Sequence, residues 1–260
     1  MEVDVKKLFS ELAEIEEIEA IALGGSRADE HFDQKSDYDL YVYCQKTVSE
    51  EKRREILSRY CVEMEIGNHF WEYEDNCTLK NGIDIDIIYR NLGDFVRDVE
   101  SVVEGFNARN GYTTCMWHNL LHCRIIADKT GKLNAAKTRF SVPYPPQLKQ
   151  NIIERNMCLL SSSLPAYRTQ IAKASARGDR NSILHRTSAF LESYFDIIFA
   201  LNELTHPGEK RLVSLCKSQC KILPADFEKN LKALFDSVSK ENGEVVSAAE
   251  KIINELKKVL

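Results

Sequence analysis

Two aspartates flank one tyrosine at Asp37-Tyr38-Asp39, and two more alternate with isoleucine in Ile83-Asp84-Ile85-Asp86-Ile87-Ile88-Tyr89. Residues two apart on an extended strand project from one face, so each pair presents its carboxylates together. Aspartate is disfavoured in strands, and a carboxylate held among apolar neighbours is costly unless a cation or hydrogen-bond donor meets it. A hard divalent ion such as Mg²⁺ takes oxygen ligands of this kind and keeps positions open for phosphate oxygens. Taken singly, either pair could instead be a solvated strand face. If the two strands are neighbours, three or four carboxylates converge, the donor set of two-metal phosphoryl or nucleotidyl transfer.

A second feature stands upstream. Gly24-Gly25-Ser26 follows the apolar run Ile18 to Leu23. Glycines at a strand-to-helix turn let the backbone approach a phosphate closely, while amides, a hydroxyl and a helix N-terminus supply donors. Many strand-to-helix turns contain Gly-Gly for reasons of geometry alone, so the turn gains meaning only beside the acids.

The elements that must position these residues are legible in outline. Val5, Leu8, Leu12 and Ile15 have the three-to-four spacing of an amphipathic helix over 3–17. Ile18–Leu23 and Tyr38–Cys44 read as strands, 50–60 as a charged surface helix, and Gly82 opens a third strand over 83–89. Helical spacing returns over Leu92–Val103. Val142-Pro143-Tyr144-Pro145-Pro146 cannot be helix interior. After it the pattern predicts helices over 147–161, 165–177, 180–203, 208–220, 224–239 and 243–259, with Pro207 and Pro224 at early helix positions. The expectation is an α+β chain of two domains, residues 1–138 and 139–260: a short mixed sheet flanked by helices, then an all-α bundle.

With 260 residues, 43% hydrophobic and 29% charged, the chain has the composition of a globular protein with a real core. No apolar run approaches the roughly 20 residues that span a bilayer, and the N-terminus lacks the pattern of a secretory signal. No membrane association and a cytoplasmic location are expected. The eight cysteines contain no Cys-x-x-Cys pair, and Cys44, Cys61, Cys123 and Cys158 sit in apolar patterns, which predicts reduced, buried thiols. The net charge of −5 repels a long polyanion, which argues against a nucleic-acid substrate and suits a small or cationic acceptor.

Taken together, these residues resemble the DNA polymerase β-like nucleotidyltransferase superfamily. Its signature is Gly-Ser, about ten residues, Asp-x-Asp at a strand start, then a third aspartate on a later strand. Here Gly25-Ser26 is followed by residues 27–36 and then by Asp37-Tyr38-Asp39, within the wording Gly-Gly-Ser-Arg-Ala and Lys-Ser-Asp-Tyr-Asp-Leu. A looser likeness reaches bacterial nucleotidyltransferase-domain proteins with a helical C-terminal region, related to antibiotic nucleotidyltransferases. It rests on Asp86-Ile87-Ile88-Tyr89-Arg90-Asn91-Leu92, Ala127-Asp128-Lys129-Thr130-Gly131 with Tyr144-Pro145-Pro146, and Phe199-Ala200-Leu201-Asn202 with Gly208-Glu209-Lys210.

The resemblance implies roles. Asp37, Asp39 and Asp86 would be the catalytic metal-binding acids, with Asp84 the alternative third ligand. Gly24, Gly25 and Ser26 would form the nucleotide-binding turn. Arg27 would reach a phosphate or else make a surface ion pair, and Lys210 would meet the triphosphate or else be a solvated lysine. The cofactor would be Mg²⁺, with Mn²⁺ able to replace it, and the co-substrate a nucleoside triphosphate. The implied reaction transfers AMP from ATP to a hydroxyl of a small molecule such as an aminoglycoside or lincosamide-like antibiotic, releasing pyrophosphate. A protein- or RNA-modifying transferase and a non-catalytic nucleotide-binding or interaction protein are the alternatives, and a homodimer is left open.

Other groupings read as structural. His118 and His122, four apart with Cys115 and Cys123 nearby, lack the acid of a zinc-protease helix, so a packed helix is expected. His69-Phe70-Trp71-Glu72-Tyr73 is expected to form part of a core-lining strand rather than a stacking platform. The runs Glu14-Ile15-Glu16-Glu17 and Glu72-Tyr73-Glu74-Asp75 read as solvated faces, or as part of a cationic-acceptor site if they border the cleft.

Overall fold

The computed structural model describes residues 3–28, 36–70, 72–240 and 243–260. Trp71, part of the aromatic run singled out above, lies outside the described residues. The chain divides into two compact units, one of residues 1–100 and 119–141, the other of 101–118 and 142–260.

The first unit is built on a six-stranded mixed sheet. In chain order its strands are β1 (Ile18–Gly24), β2 (Tyr38–Cys44), β3 (Cys61–Asn68), β4 (Tyr73–Leu79), β5 (Asp84–Asn91) and β6 (Arg124–Asp128). Their spatial order is β3-β4-β5-β2-β1-β6. Only the β2–β5 pairing is parallel; β1–β2, β1–β6, β3–β4 and β4–β5 are antiparallel. The interior strand β1 is buried at all seven residues, as expected of a strand with neighbours on both edges and cover on both faces.

Alternation sorts the sheet into two faces. Leu40, Val42, Ile85 and Ile87 pack with Val5, Leu8, Phe9 and Leu12 of α1 (Val3–Ala13) into one apolar core. The opposite face carries Tyr41, Tyr43 and, at the strand mouths, the acids. Helix α2 (Glu50–Leu57) starts on Ser49, whose side chain accepts from the Lys52 amide, with Glu50 and Glu51 in the first turn where the helix dipole favours them. α3 (Leu92–Val103) follows β5 directly, α4 (Cys115–His122) precedes β6, and α5 (Lys132–Arg139) follows it.

Three strands, β3, β4 and β6, were not expected over their observed ranges, and three local expectations are corrected. His69, Phe70 and Glu72 fall in the β3–β4 connection; of the described residues in that run, only Tyr73 enters a strand, and Phe70 is 76% exposed. Helix α2 is not wholly a surface helix. Its Arg53 is fully buried, donating to Asp75 and Tyr73 Oη while Tyr89 Oη donates to the other Asp75 oxygen at 2.9 Å. Nor is Glu72-Tyr73-Glu74-Asp75 a solvated run, because Glu74 and Asp75 are buried and Glu72 chelates Arg90 through two oxygens, one at 2.7 Å.

The second unit is helical: α6 (Pro146–Met157), α7 (Tyr167–Ala176), α8 (Arg180–Leu201), α9 (Leu212–Gln219), α10 (Phe227–Ser237) and α11 (Glu244–Lys257). Phe190, Tyr194 and Phe195 of the long α8 meet Phe227 of α10 in its core. Asp179 caps α8, accepting from the Ser182 amide at 3.0 Å. A π-helical turn, Cys158–Ser162, ends α6 and leaves Cys158 exposed rather than buried. Pro207 and Pro224 are not early helix residues. α9 and α10 start at Leu212 and Phe227, after Arg211 (φ 58°) and Asp226 (φ 53°) take the left-handed conformation. Among the described residues no helix is long and apolar enough to cross a membrane.

Candidate active site

The turn and the acids meet at the mouth of β2. β1 ends at Gly24, whose partner across the antiparallel ladder is Asp39. A Cβ built on Gly25 would stand 1.7 Å from Asp39 Oδ2, and one on Gly24 would stand 2.3 Å from the Tyr41 ring. The bare backbone therefore lets the Asp39 carboxylate lie against the turn, and Gly25 (φ 57°) also takes a left-handed conformation that side chains resist. Ser26, exposed, opens a single 3₁₀ turn, Ser26–Ala28. Residues 29–35, which follow Ala28, lie outside the described ones; within the described turn, main-chain amides and the Ser26 hydroxyl are the donors at hand.

Parallel pairing of β2 with β5 sets Asp39 opposite Asp86 and Tyr38 opposite Ile85. Asp37, immediately before β2, points to the same face as Asp39 by alternation. One carboxylate oxygen from each of Asp37, Asp39 and Asp86 lies within 4.8 Å of the others, and all three residues are half-buried. Oxygens bound side by side to one Mg²⁺ stand about 3 Å apart, so small side-chain rotations close these three around a hard cation. Three anions at this spacing repel one another, which a divalent ion relieves. Donor type, spacing and the glycine cradle that seats Asp39 all fit such an ion. Asp84, two residues before Asp86, is exposed and accepts from Thr78 Oγ1 at 2.8 Å; it does not join the triad.

Two side chains that sequence alone did not single out fix the neighbours of this triad. Asn76 of β4 faces Asp86 across the ladder and donates Nδ2 to Asp86 Oδ1 at 2.7 Å. Arg90 lies 4.4 Å over the Tyr41 ring, locked to Glu72, and so stiffens the sheet face below the acids. An asparagine in a strand carries no pattern of its own, so no sequence signal marked Asn76. Arg27 is 5% exposed, its guanidinium 4.0 Å over the Tyr38 ring and its Nε donating to the Ser36 carbonyl. It ties the 3₁₀ turn to the entrance of β2. Lys210 belongs to the second unit, exposed in the turn before α9.

Beside the triad lies a cavity of about 500 Å³ whose wall includes Asp37, Glu63, Glu65, Asp84 and Asp86. Five carboxylates line it and, among the described residues, no lysine, arginine or histidine. A second cavity, about 550 Å³, is lined by Glu65, Phe70, Glu74, Asn76 and Asp86. The Val62-Glu63-Met64-Glu65-Ile66 alternation that places these glutamates on β3 is visible in the sequence as a period of two.

Residues 6–94 match the family model described as polymerase beta, nucleotidyltransferase. A comparison with curated proteins finds no match. Among solved structures, similarity extends to a nucleotidyltransferase-like protein from Exiguobacterium sibiricum 255-15 (11% identity, TM-score 0.44, 98% of this chain and 73% of that one). It extends also to an aminoglycoside 6-adenyltransferase from Bacillus subtilis (10%, 0.33, 100% and 90%). A third is the Thermotoga maritima CCA-adding enzyme in complex with tRNA (12%, 0.34, 98% and 80%). The matched segment takes in the Gly-Gly-Ser turn and all three converging aspartates, so residues 6–94 form a polymerase β-type nucleotidyltransferase domain and the chain that carries it is a transferase.

Proposed function

We propose that this chain transfers a nucleoside monophosphate, AMP from ATP as the leading case, to a hydroxyl of a small cationic acceptor of the aminoglycoside or lincosamide-like kind. The acceptor oxygen forms a bond to the α-phosphorus as the bond from that phosphorus to the bridging oxygen breaks; pyrophosphate leaves and the hydroxyl proton is lost. Asp37, Asp39 and Asp86 would hold Mg²⁺ or Mn²⁺, which would supply neutralisation of the triphosphate charge and activation of the acceptor hydroxyl. The amides of Gly24 and Gly25 and the Ser26 hydroxyl orient the β- and γ-phosphates. Asp86 orients the acceptor hydroxyl and takes up its proton. Arg27 acts by holding the turn rather than by touching phosphate.

The single observation that carries the acceptor class is the carboxylate-lined cavity beside Asp86. Its field concentrates a polyamine and repels nucleic acid, in the same sense as the net charge of −5. Phe70, 76% exposed in the wall of the neighbouring cavity, favours a second reading in which the acceptor is a protein side chain. A non-catalytic role is disfavoured because a scaffold has no chemical need for three converging acids.

The test incubates the protein with Mg²⁺, each nucleoside triphosphate and a panel of aminoglycosides, lincosamides, RNA and protein acceptors, reading pyrophosphate release and acceptor mass. Release with a cationic small molecule, gained mass equal to one nucleotide, and loss in Asp37→Asn/Asp39→Asn is the expected result. Mass gain only on protein or RNA would replace the acceptor assignment. Absence of triphosphate binding under every condition would overturn the enzymatic one.

A further inference from the structure

The third acid of the triad is tied to the tip of the β3–β4 hairpin by a chain of directed hydrogen bonds. The amide of Phe70 donates to Asn68 Oδ1 at 3.3 Å. Asn68 Nδ2 donates to Asn76 Oδ1, and Asn76 Nδ2 donates to Asp86 Oδ1 at 2.7 Å. The direction of this chain is forced at both ends. A backbone N–H can only donate, so Asn68 must turn its oxygen to Phe70 and its NH₂ to Asn76. An ionised carboxylate can only accept, so Asn76 must turn its NH₂ to Asp86. Reversing either amide would set donor against donor or acceptor against acceptor.

We propose that Asn68 and Asn76 are positioning residues for Asp86. They hold its carboxylate in one rotamer, the one in which it stands beside Asp37 and Asp39. Neither asparagine touches the reacting atoms; both act through Asp86. The strand register makes this sufficient, because Asn76 stands directly opposite Asp86 on the β4–β5 ladder and Asn68 closes the β3–β4 hairpin two strands away. Outer partners that orient a carboxylate ligand typically change metal affinity by about 10–100-fold when removed. The inference rests on the reading of the triad as a divalent-cation site.

The experiment measures Mn²⁺ binding in the presence of ATP by the loss of the free-ion electron paramagnetic resonance signal. It uses the full-length protein and the variants Asp86→Asn, Asn76→Ala and Asn68→Asp, with thermal midpoints recorded without metal. The expected result is binding by the parent protein, loss in Asp86→Asn, and affinity about tenfold weaker in Asn76→Ala at an unchanged midpoint. Parent-like affinity in Asn76→Ala would overturn the proposal while leaving the cation site standing. No Mn²⁺ binding by the parent protein would overturn the cation site itself. Should Asn76→Ala fail to fold, Asn68→Asp decides. Aspartate still accepts from Phe70 but cannot donate to Asn76, and its added charge alone would tighten Mn²⁺ binding. Weaker binding in that variant therefore supports the chain, and equal or tighter binding refutes it.

Discussion

Asp39 lies so close to the Gly25 backbone that a single methyl group would occupy the space of its carboxylate. Gly25→Ala places Cβ 1.7 Å from Asp39 Oδ2 and forces a φ of 57° on a residue with a side chain. The backbone penalty is about 1–2 kcal/mol, small enough for the domain to fold. The displaced carboxylate matters more, and Mg²⁺-dependent ATP binding should weaken by about a hundredfold or more, as for loss of a directly positioned ligand. Calorimetric titration beside urea unfolding separates the two effects; tight binding with only the stability loss would show that Asp39 is not held by the turn. In the same assay Asp84→Asn should retain most of the binding that Asp86→Asn loses, because Asp84 is exposed and engaged with Thr78. At this scale the sequence was informative where residue type and short spacing carry the chemistry, as in Asp37, Asp39 and Asp86. It was silent on Asn76, whose role depends on a residue on the next strand, and it named Arg27 without the Tyr38 ring that the guanidinium lies over.

β4 reads Tyr-Glu-Asp-Asn-Cys-Thr-Leu, a composition with little intrinsic preference for a strand. Its place between β3 and β5 is secured instead from outside, by Arg53 of α2 buried against Asp75, Tyr73 and Tyr89 and by the Gly67 amide donating to Asp75 at 2.8 Å. Removing one member of a fully buried ion pair strands the other charge, at a cost of about 3–5 kcal/mol. Arg53→Ala should therefore lower the unfolding free energy of the first unit by that amount. The paired replacement Arg53→Met/Asp75→Leu should lose less than either single change, since it leaves no orphaned charge. Urea unfolding of the three proteins checks this, and strictly additive losses would count against the pair as the anchor. The same facts explain why β4 was not legible: the charged residues that disguise it as surface are those that lock it in place. β1 and β2 were legible because two-sided burial demands a nearly continuous apolar run, and β5 because buried isoleucines and a tyrosine alternate with more exposed residues along it. β3 could have been read from its period-two alternation, whereas β6 is five residues with no pattern long enough to register.

Across the whole chain the path leaves one compact unit and enters the other three times, at 100/101, 118/119 and 141/142. The second unit must therefore recruit segment 101–118 across long sequence separations, and a buried polar knot does so. Asp196 of α8, 1% exposed, accepts from the Thr113 amide at 3.0 Å, from Thr113 Oγ1 at 2.6 Å and from Asn156 of α6 at 3.1 Å. Local sequence gives no hint of it, since Thr113 and Asp196 are 83 positions apart. Burial pushes the Asp196 carboxyl up to about 6 even though hydrogen bonds from Thr113 and Asn156 pull the other way. An unfolded aspartate titrates near about 3.9, so between roughly pH 4 and 6 the folded chain holds a proton that the unfolded chain has lost. Stability from this group is thus complete below about pH 4 and is withdrawn as pH rises through 6, a span of at most about 3 kcal/mol. Carboxylates held low by partners, Glu19 by Lys132 and Asp179 by the Ser182 amide, slope the opposite way, so the raw pH profile of the protein is a poor test. The difference between the parent protein and Asp196→Asn cancels those shared terms. It should fall by about 2–3 kcal/mol in the parent's disfavour between pH 4 and pH 7.5 in urea unfolding. A difference that stays flat, or moves in the parent's favour as pH rises, would mean that the knot holds its carboxylate charged and that hydrogen bonding, not burial, governs how the helical unit gathers its segments.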